Sequence, residues 1–142
     1  MRAFSILEII IAIVVLAIII SFGIPKFNTI NENSNLLTLK SEFALIQSSI
    51  ARKSSQNILL QNSNNISSLD DAKINTQDEE LFKNVLEIPI ISTSINIKKY
   101  GKWTKISNKK YLFFTQNRTF EFLFEDGHFF CASEETFCKD IE

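Results

Sequence analysis

Glu8 is the one charged residue in the apolar run from Phe4 to Pro25, and its position is the clearest chemical signal in the chain. A carboxylate near the middle of a bilayer costs about 2.5–3.5 kcal/mol even on lenient insertion scales. A lone acid in an otherwise apolar helix therefore usually has a partner or a specific role. At about 1.5 Å per residue, a helix over this run would be about 33 Å long, enough to cross hydrocarbon about 30 Å thick.

Residues 1–8, MRAFSILE, together with the aliphatic run that follows, resemble the class III leader of type IV pilins and type II secretion pseudopilins. The resemblance implies that a prepilin peptidase cleaves between Ala3 and Phe4 and that the new amine of Phe4 is methylated. It also implies that Glu8 guides the docking of subunits in a filament. The family usually has Gly before the cut, where this chain has Ala3.

The spacing of Phe4 and Glu8 gives this arrangement a physical reason. Residues four apart lie on the same face of a helix, and cleavage would place a cationic amine at Phe4. An amine and a carboxylate attract strongly in lipid because little water screens them. The pair would close within one subunit, or Glu8 would meet the amine of an incoming neighbour. In the second case the acid fixes one axial register, as a buried polar residue does in a coiled coil.

A cleaved signal peptide and a plain membrane anchor also begin with an apolar N-terminal segment. A secretory signal peptide has an apolar stretch of about 7–15 residues followed by a small-residue cleavage site. The run here is longer, contains Glu8, and ends in SFGIP, which lacks such a site. An ordinary single-span anchor, with Glu8 held by the helix N-terminal dipole, remains an alternative.

Cys131 and Cys138 are the two cysteines of the chain. In an oxidising compartment they would form a disulfide around the short loop ASEETF. Two buried free thiols are an alternative, and zinc is a weaker one because C-x6-C with His128 lacks the usual ligand spacing. A C-terminal disulfide loop is also what the pilin resemblance implies.

Length and charge limit the class of protein. The chain has 142 residues and a net charge of −1, which predicts one small domain and no basic field for phosphate binding. DNA binding is therefore possible but unsupported by charge. One histidine and no nucleophile with a recognisable base predict no catalytic residue, no cofactor and no metal site. The alternative of calcium binding involves four C-terminal acids: Glu134, Glu135, Asp140 and Glu142.

Residues 26–60 are predicted to continue the N-terminal helix, with a bend at Gly23 and Pro25. Apolar residues recur there at spacings of three and four and predict a buried stripe: Leu36, Leu39, Phe43, Ile46 and Ile50. The composition of residues 61–78 predicts a surface loop. Residues 79–87, EELFKNVLE, predict a short helix that ends before Pro89.

Four aromatic-rich segments predict an antiparallel meander: 102–106, 110–115, 119–124 and 128–132. Asp126-Gly127 is the strongest hairpin signal in the chain. Phe120, Phe122 and Phe124 alternate with polar residues or Leu, as expected when one face of a sheet covers a helix. A base-stacking platform is the alternative for these rings, but few Arg or Lys residues lie between them.

These features predict an α+β fold in which a long N-terminal helix, transmembrane in its first half, packs on a small antiparallel sheet. The predicted divisions are a leader at 1–3, a transmembrane segment at 4–25, a helix continuation at 26–60 and a sheet domain at 61–142.

The resemblance implies a filament subunit for type II secretion, a type IV pilus or DNA uptake. Its partners would be a prepilin peptidase, other pilin-like subunits, an inner-membrane assembly platform and lipid. The N-terminus would be cytoplasmic, and the C-terminal domain periplasmic or in an extracellular filament. The alternative is a non-polymerising, membrane-anchored binding or sensor domain.

Overall fold

The structure, a computed structural model, describes residues 6–61 and 66–141, with the side chains at 22–29 outside that description. Two helices and six strands make up the described fold: α1 (Ile6–Leu59), β1 (Glu80–Leu81), β2 (Ile90–Ile91), β3 (Lys102–Lys105), β4 (Lys110–Phe114), β5 (Thr119–Glu125), β6 (His128–Cys131) and α2 (Glu135–Lys139). The predicted α+β class, with a long N-terminal helix and antiparallel sheets, is confirmed.

Strands β3 to β6 form the antiparallel meander that the sequence predicts, in the order β3-β4-β5-β6. Strand β1 pairs with β2 in a separate two-stranded sheet. Asp126 and Gly127 connect β5 to β6, and both have positive φ, 51° and 78°. A two-residue hairpin loop with positive φ at both positions is the type I′ turn, which matches the right-handed twist of the strands.

The core lies between one face of the meander and the second half of α1. The predicted helix stripe is buried at Leu39, Phe43, Ile46 and Ile50, with Leu36 partly buried at its edge. Aromatic rings fill the interface, and the Phe43 ring of α1 lies 5.2 Å from that of Phe122. Because β5 alternates buried and half-buried residues, Phe120, Phe122 and Phe124 all face this core. The base-stacking platform is therefore wrong for these three rings.

The short helix predicted at 79–87 is wrong. Glu80–Leu81 form strand β1 instead, and a series of turns follows it. Phe82 has a φ of 59°, in the left-handed region that a right-handed helix does not contain. Its backbone N–H donates to the Asp70 carboxylate at 2.9 Å rather than to a helical carbonyl. A distant side chain therefore overrides the local helical pattern.

The prediction that residues 61–78 form a surface loop is wrong at Leu69 and Asp70. These two residues are 0% and 1% exposed, so the middle of the segment enters the core. Leu69 joins the apolar cluster, and Asp70 contacts the sheet through a set of buried hydrogen bonds described below. The segment is mostly polar in composition, so the sequence did not indicate that Leu69 and Asp70 are buried in the core.

Candidate assembly surface and its supporting contacts

The first third of α1 presents an apolar surface to solvent. Every side chain from residue 6 to residue 21 is exposed, and Glu8 is the one charged residue among them. Large aliphatic side chains on all sides of the helix are about half exposed or more, for example Ile9 at 50%, Ile13 at 60% and Ile19 at 61%. A helix that is apolar all round is stable only when something covers it, such as lipid or other protein.

Glu8 lies in the first turn of α1 as described, with its side chain exposed. Ala3 and Phe4, the predicted cleavage and methylation positions, lie outside the described residues. The pairing of Glu8 with a processed amine therefore stays a prediction. The backbone is helical through Gly23 and Pro25, and the predicted bend there also stays a prediction.

Within residues 6–61 and 66–141, no helix carries an apolar stretch long enough to span a membrane. The predicted span at residues 4–25 begins outside this range at residues 4 and 5, and its last four side chains, at 22–25, also lie outside the description.

From Glu32 onward, polar contacts join α1 to the domain. The Glu32 carboxylate accepts hydrogen bonds from the Thr115 hydroxyl at 2.9 Å and from the Asn117 backbone N–H at 3.2 Å. Both contacts link the helix to the β4–β5 turn, and Glu32 is only 7% exposed. Hydrogen bonds to a charged acceptor are stronger than those between neutral groups. Glu32 therefore fixes the middle of α1 against the β4–β5 turn.

Glu42 forms a second contact between α1 and the sheet. Its Oε2 accepts a hydrogen bond of 2.6 Å from the indole N–H of Trp103, a residue that is fully buried. Burial raises the pKa of the Glu42 carboxyl, and the hydrogen bond from Trp103 and the nearby charge of Lys102 partly oppose that rise. Glu42 is therefore easier to protonate in the folded chain than in the unfolded one.

We expect Glu42→Gln to stabilise the folded chain at neutral pH relative to wild type. The raised pKa means that the folded state binds a proton more tightly, so this group's contribution to stability falls as the pH rises from 4.5 through the folded pKa. Glutamine removes that titration and keeps an oxygen for the indole N–H. Urea unfolding in detergent micelles, followed by Trp103 fluorescence, should show the advantage of the variant at pH 7 shrinking towards pH 4.5. The exposed Glu125→Gln is the matched control, and an advantage independent of pH would contradict the expectation.

Asp70, Lys105 and Tyr111 form a buried polar network in the domain. The Lys105 ammonium lies 2.8 Å from Asp70 Oδ1, and the side chains are 3% and 0% exposed. The Tyr111 hydroxyl donates to Asp70 Oδ2 at 2.9 Å. Burial raises the pKa of the Tyr111 hydroxyl, and the charge of Asp70 and the hydrogen bond to it raise that pKa further. Tyr111 therefore stays protonated and remains a donor.

Sequence reasoning missed this network. Asp70 follows a segment rich in Asn and Ser, and Lys105 belongs to a lysine-rich region, so both residues fit a solvated surface. One local signal was present, because Lys105 lies two residues after Trp103 in the predicted strand and therefore on the same face of the sheet as that large ring. An inward-facing lysine in a strand requires a buried partner, although the pattern alone does not identify it.

A disulfide joins Cys131 at the end of β6 to Cys138 in α2, with the Cα atoms 5.7 Å apart. This is the pairing that the sequence predicts. The Phe137 ring of α2 lies 5.9 Å from the Phe120 ring of β5. Asp140, directly after α2, pairs with Arg118, directly before β5, at 2.6 Å. The disulfide, ring contact and ion pair together hold the C-terminal segment against β5.

Replacing both cysteines by serine should lower the free energy of unfolding by about 2–3 kcal/mol, because the disulfide closes a short loop in the unfolded chain. Guanidinium unfolding in detergent, followed by Trp103 fluorescence, measures the change. A reductant should destabilise wild type by a similar amount and leave the double variant unaffected. A reductant effect of equal size on both chains would contradict this prediction.

Among residues 6–61 and 66–141, no group of three or more His, Cys, Asp or Glu side chains is placed to hold a metal ion. Of the acids considered for calcium, Asp140 pairs with Arg118 and Glu135 pairs with Lys139. Glu142 lies outside the described residues. These two acids thus lie in two separate ion pairs.

The chain matches no protein-family model, no curated protein sequence and no solved structure. A functional assignment therefore depends on its own residues. These are the N-terminal sequence, the exposed apolar helix and the small disulfide-bonded sheet domain to which that helix is attached.

Proposed function

We propose that this chain is a pilin-like structural subunit, assembled through its N-terminal helix into a filament of the type II secretion, type IV pilus or competence type. The observation that carries the proposal is the exposed apolar surface of residues 6–21 with Glu8 as its one charge. Such a surface requires a covering of lipid before assembly and of neighbouring helices afterwards. A subunit that moves from a membrane into a filament core meets both requirements.

The described part of the chain beyond Glu32 supports the same proposal. Contacts of Glu32, Glu42 and the apolar stripe fix the second half of α1 on the sheet, while the side chains of residues 6–21 stay exposed and are not buried by the domain. The helix thus acts as a stalk whose apolar end is available to membrane and neighbours. In this proposal the segment at 4–25 is transmembrane, with a cytoplasmic N-terminus and the sheet domain on the periplasmic side.

The work of such a subunit is assembly rather than catalysis. A prepilin peptidase would remove residues 1–3, a methyl group would be added to Phe4, and an inner-membrane platform would insert the subunit next to others of its class. Glu8 would meet the Phe4 amine of an adjacent subunit. Because only one axial offset neutralises both charges in an apolar setting, that contact would fix the helical register of the filament.

Intact-mass analysis of the mature chain from its natural host tests the proposal. The expected result is a chain that lacks residues 1–3 and carries a methyl group at Phe4. A chain that retains Met1 would overturn the proposal and favour a non-polymerising, membrane-anchored domain. Deletion of the gene, with protein secretion and DNA transformation scored side by side, then distinguishes the secretion and uptake roles from each other.

A further inference from the structure

The buried pair of Asp70 and Lys105 holds an ammonium group directly against a carboxylate. Lys105 Nζ lies 2.8 Å from Asp70 Oδ1 and 3.2 Å from the Asp70 backbone carbonyl oxygen, with almost no solvent exposure. The Phe82 ring packs 4.8 Å from that of Tyr111, which closes this side of the site with apolar surface. An amine and a carboxyl held together in a dry site have a high effective concentration for each other.

The two oxygens of the Asp70 carboxylate have different surroundings. Oδ2 accepts from the Tyr111 hydroxyl and from the Phe82 backbone N–H, both at 2.9 Å. Oδ1 contacts Lys105 and accepts the longer bond of 3.2 Å from the Ala72 N–H. Two strong donors on one oxygen are the arrangement that stabilises the negative charge of a tetrahedral intermediate in acyl transfer.

We propose that Lys105 and Asp70 condense spontaneously into an intramolecular amide bond between Nζ and Cγ. The Lys105 ammonium first gives one proton to Oδ1, which produces a neutral amine and a carboxylic acid. Nζ then attacks Cγ, and the charge that develops on Oδ2 is held by the Tyr111 hydroxyl and the Phe82 N–H. A second proton passes from Nζ to Oδ1, the bond from Cγ to Oδ1 breaks, and Oδ1 leaves as water.

The reaction balances without a cofactor or an oxidant. The ammonium begins with three protons, of which one stays on the amide nitrogen and two leave in the water molecule. Burial favours the product because it replaces two desolvated charges by a neutral amide, and buried charges are costly even when paired. The amide oxygen derived from Oδ2 keeps the hydrogen bonds from Tyr111 and Phe82.

The consequence is a covalent cross-link between the loop at 66–78 and strand β3, over a sequence separation of 35 residues. It would add to the disulfide of Cys131 and Cys138, and unlike that disulfide it would resist reductants. The inference stands independently of the proposed function.

The test is the intact mass of the folded full-length chain, followed by peptide mapping after reduction. We expect wild type to be lighter by one water molecule, with the peptides that contain Asp70 and Lys105 recovered as one branched species. The Lys105→Met variant should have the full mass that its sequence predicts, with no water lost. Lys102 is an exposed lysine of the same strand, and the Lys102→Met variant should still be one water molecule lighter than its sequence predicts. A folded wild-type chain of full mass would overturn the inference.

Tyr111→Phe keeps the ring in the core and removes one donor from Oδ2. Loss of a single oxyanion donor typically slows acyl transfer by about 10²-fold or more. The branched species should therefore accumulate about 10²-fold more slowly in freshly synthesised variant than in wild type. Equal rates in the two chains would contradict the role of Tyr111. Processing at Ala3 changes only the N-terminal peptide, so failure of the proposed function would appear in a different peptide.

Discussion

Replacing Asp70 by alanine should lower the free energy of unfolding by about 3–5 kcal/mol, compared with wild-type chain in which Lys105 and Asp70 have not yet condensed into the amide. The variant leaves the Lys105 ammonium buried without its anion, and removal of one member of a buried pair typically has this cost. It also removes the acceptor for the Tyr111 hydroxyl and for the Phe82 N–H, which holds the turn after β1. Guanidinium unfolding of the full chain in detergent measures the loss, with Trp103 as the fluorescent reporter because it is the single tryptophan and is fully buried.

Asp71→Ala is the matched control, because it removes the same charge from the neighbouring, exposed position. We expect it to change the stability by no more than about 0.5 kcal/mol, as surface substitutions usually do. The double variant Asp70→Ala/Lys105→Met should regain part of the loss, since no uncompensated charge then remains in the core. Equal effects of the Asp70 and Asp71 variants would show that the network does not stabilise the domain.

Glu8→Gln should reduce incorporation into filaments or assembly complexes by about 10²-fold. Glutamine has nearly the same size but cannot neutralise the amine of a processed neighbour, and an unpaired charge in an apolar helix bundle costs about 2.5–3.5 kcal/mol. The measurement is the ratio of assembled to membrane-pool subunit in the host. Glu8 is exposed and lies far along the chain from the sheet contacts, so the domain itself should fold normally.

Glu125→Gln is the control for Glu8→Gln. It removes one exposed carboxylate from the sheet domain and changes the net charge of the chain by the same amount as Glu8→Gln does. It should assemble as wild type does. The Trp103 fluorescence of both variants should be that of wild type, which separates an assembly defect from a folding defect. Wild-type assembly of Glu8→Gln would contradict the proposed role of the acid.

Much of the fold was predictable from local patterns. The stripe at Leu39, Phe43, Ile46 and Ile50 repeats with the period of a helix, and the alternation of Phe120, Phe122 and Phe124 has the period of a strand. Asp126-Gly127 predicted a tight turn, and both residues have positive φ there. These features are visible in the sequence because the hydrophobic face of an element and the backbone needs of a tight turn are set by residues close together in the chain.

The helix predicted at 79–87 failed for a reason that lies outside the segment. Its apolar spacing suits a helix, but the Asp70 carboxylate accepts the Phe82 N–H, and β1 pairs with β2. The same carboxylate meets Lys105 and Tyr111, which are 35 and 41 residues away in sequence. A pattern of neighbouring residues cannot predict contacts between residues so far apart in the sequence.

The apolar N-terminal run, its lone acid, the cysteine pair and the alternating strands can be recognised from the order of amino acids, because each depends on short-range spacing or on residue type. Which acids and lysines lie inside the domain is a different matter. Folding places Asp70 against Lys105 and Glu42 against Trp103 by bringing distant segments together, and removal of water from those contacts then sets their chemistry. Desolvation is a property of the assembled core, so charges that look solvated in the sequence became its central polar contacts.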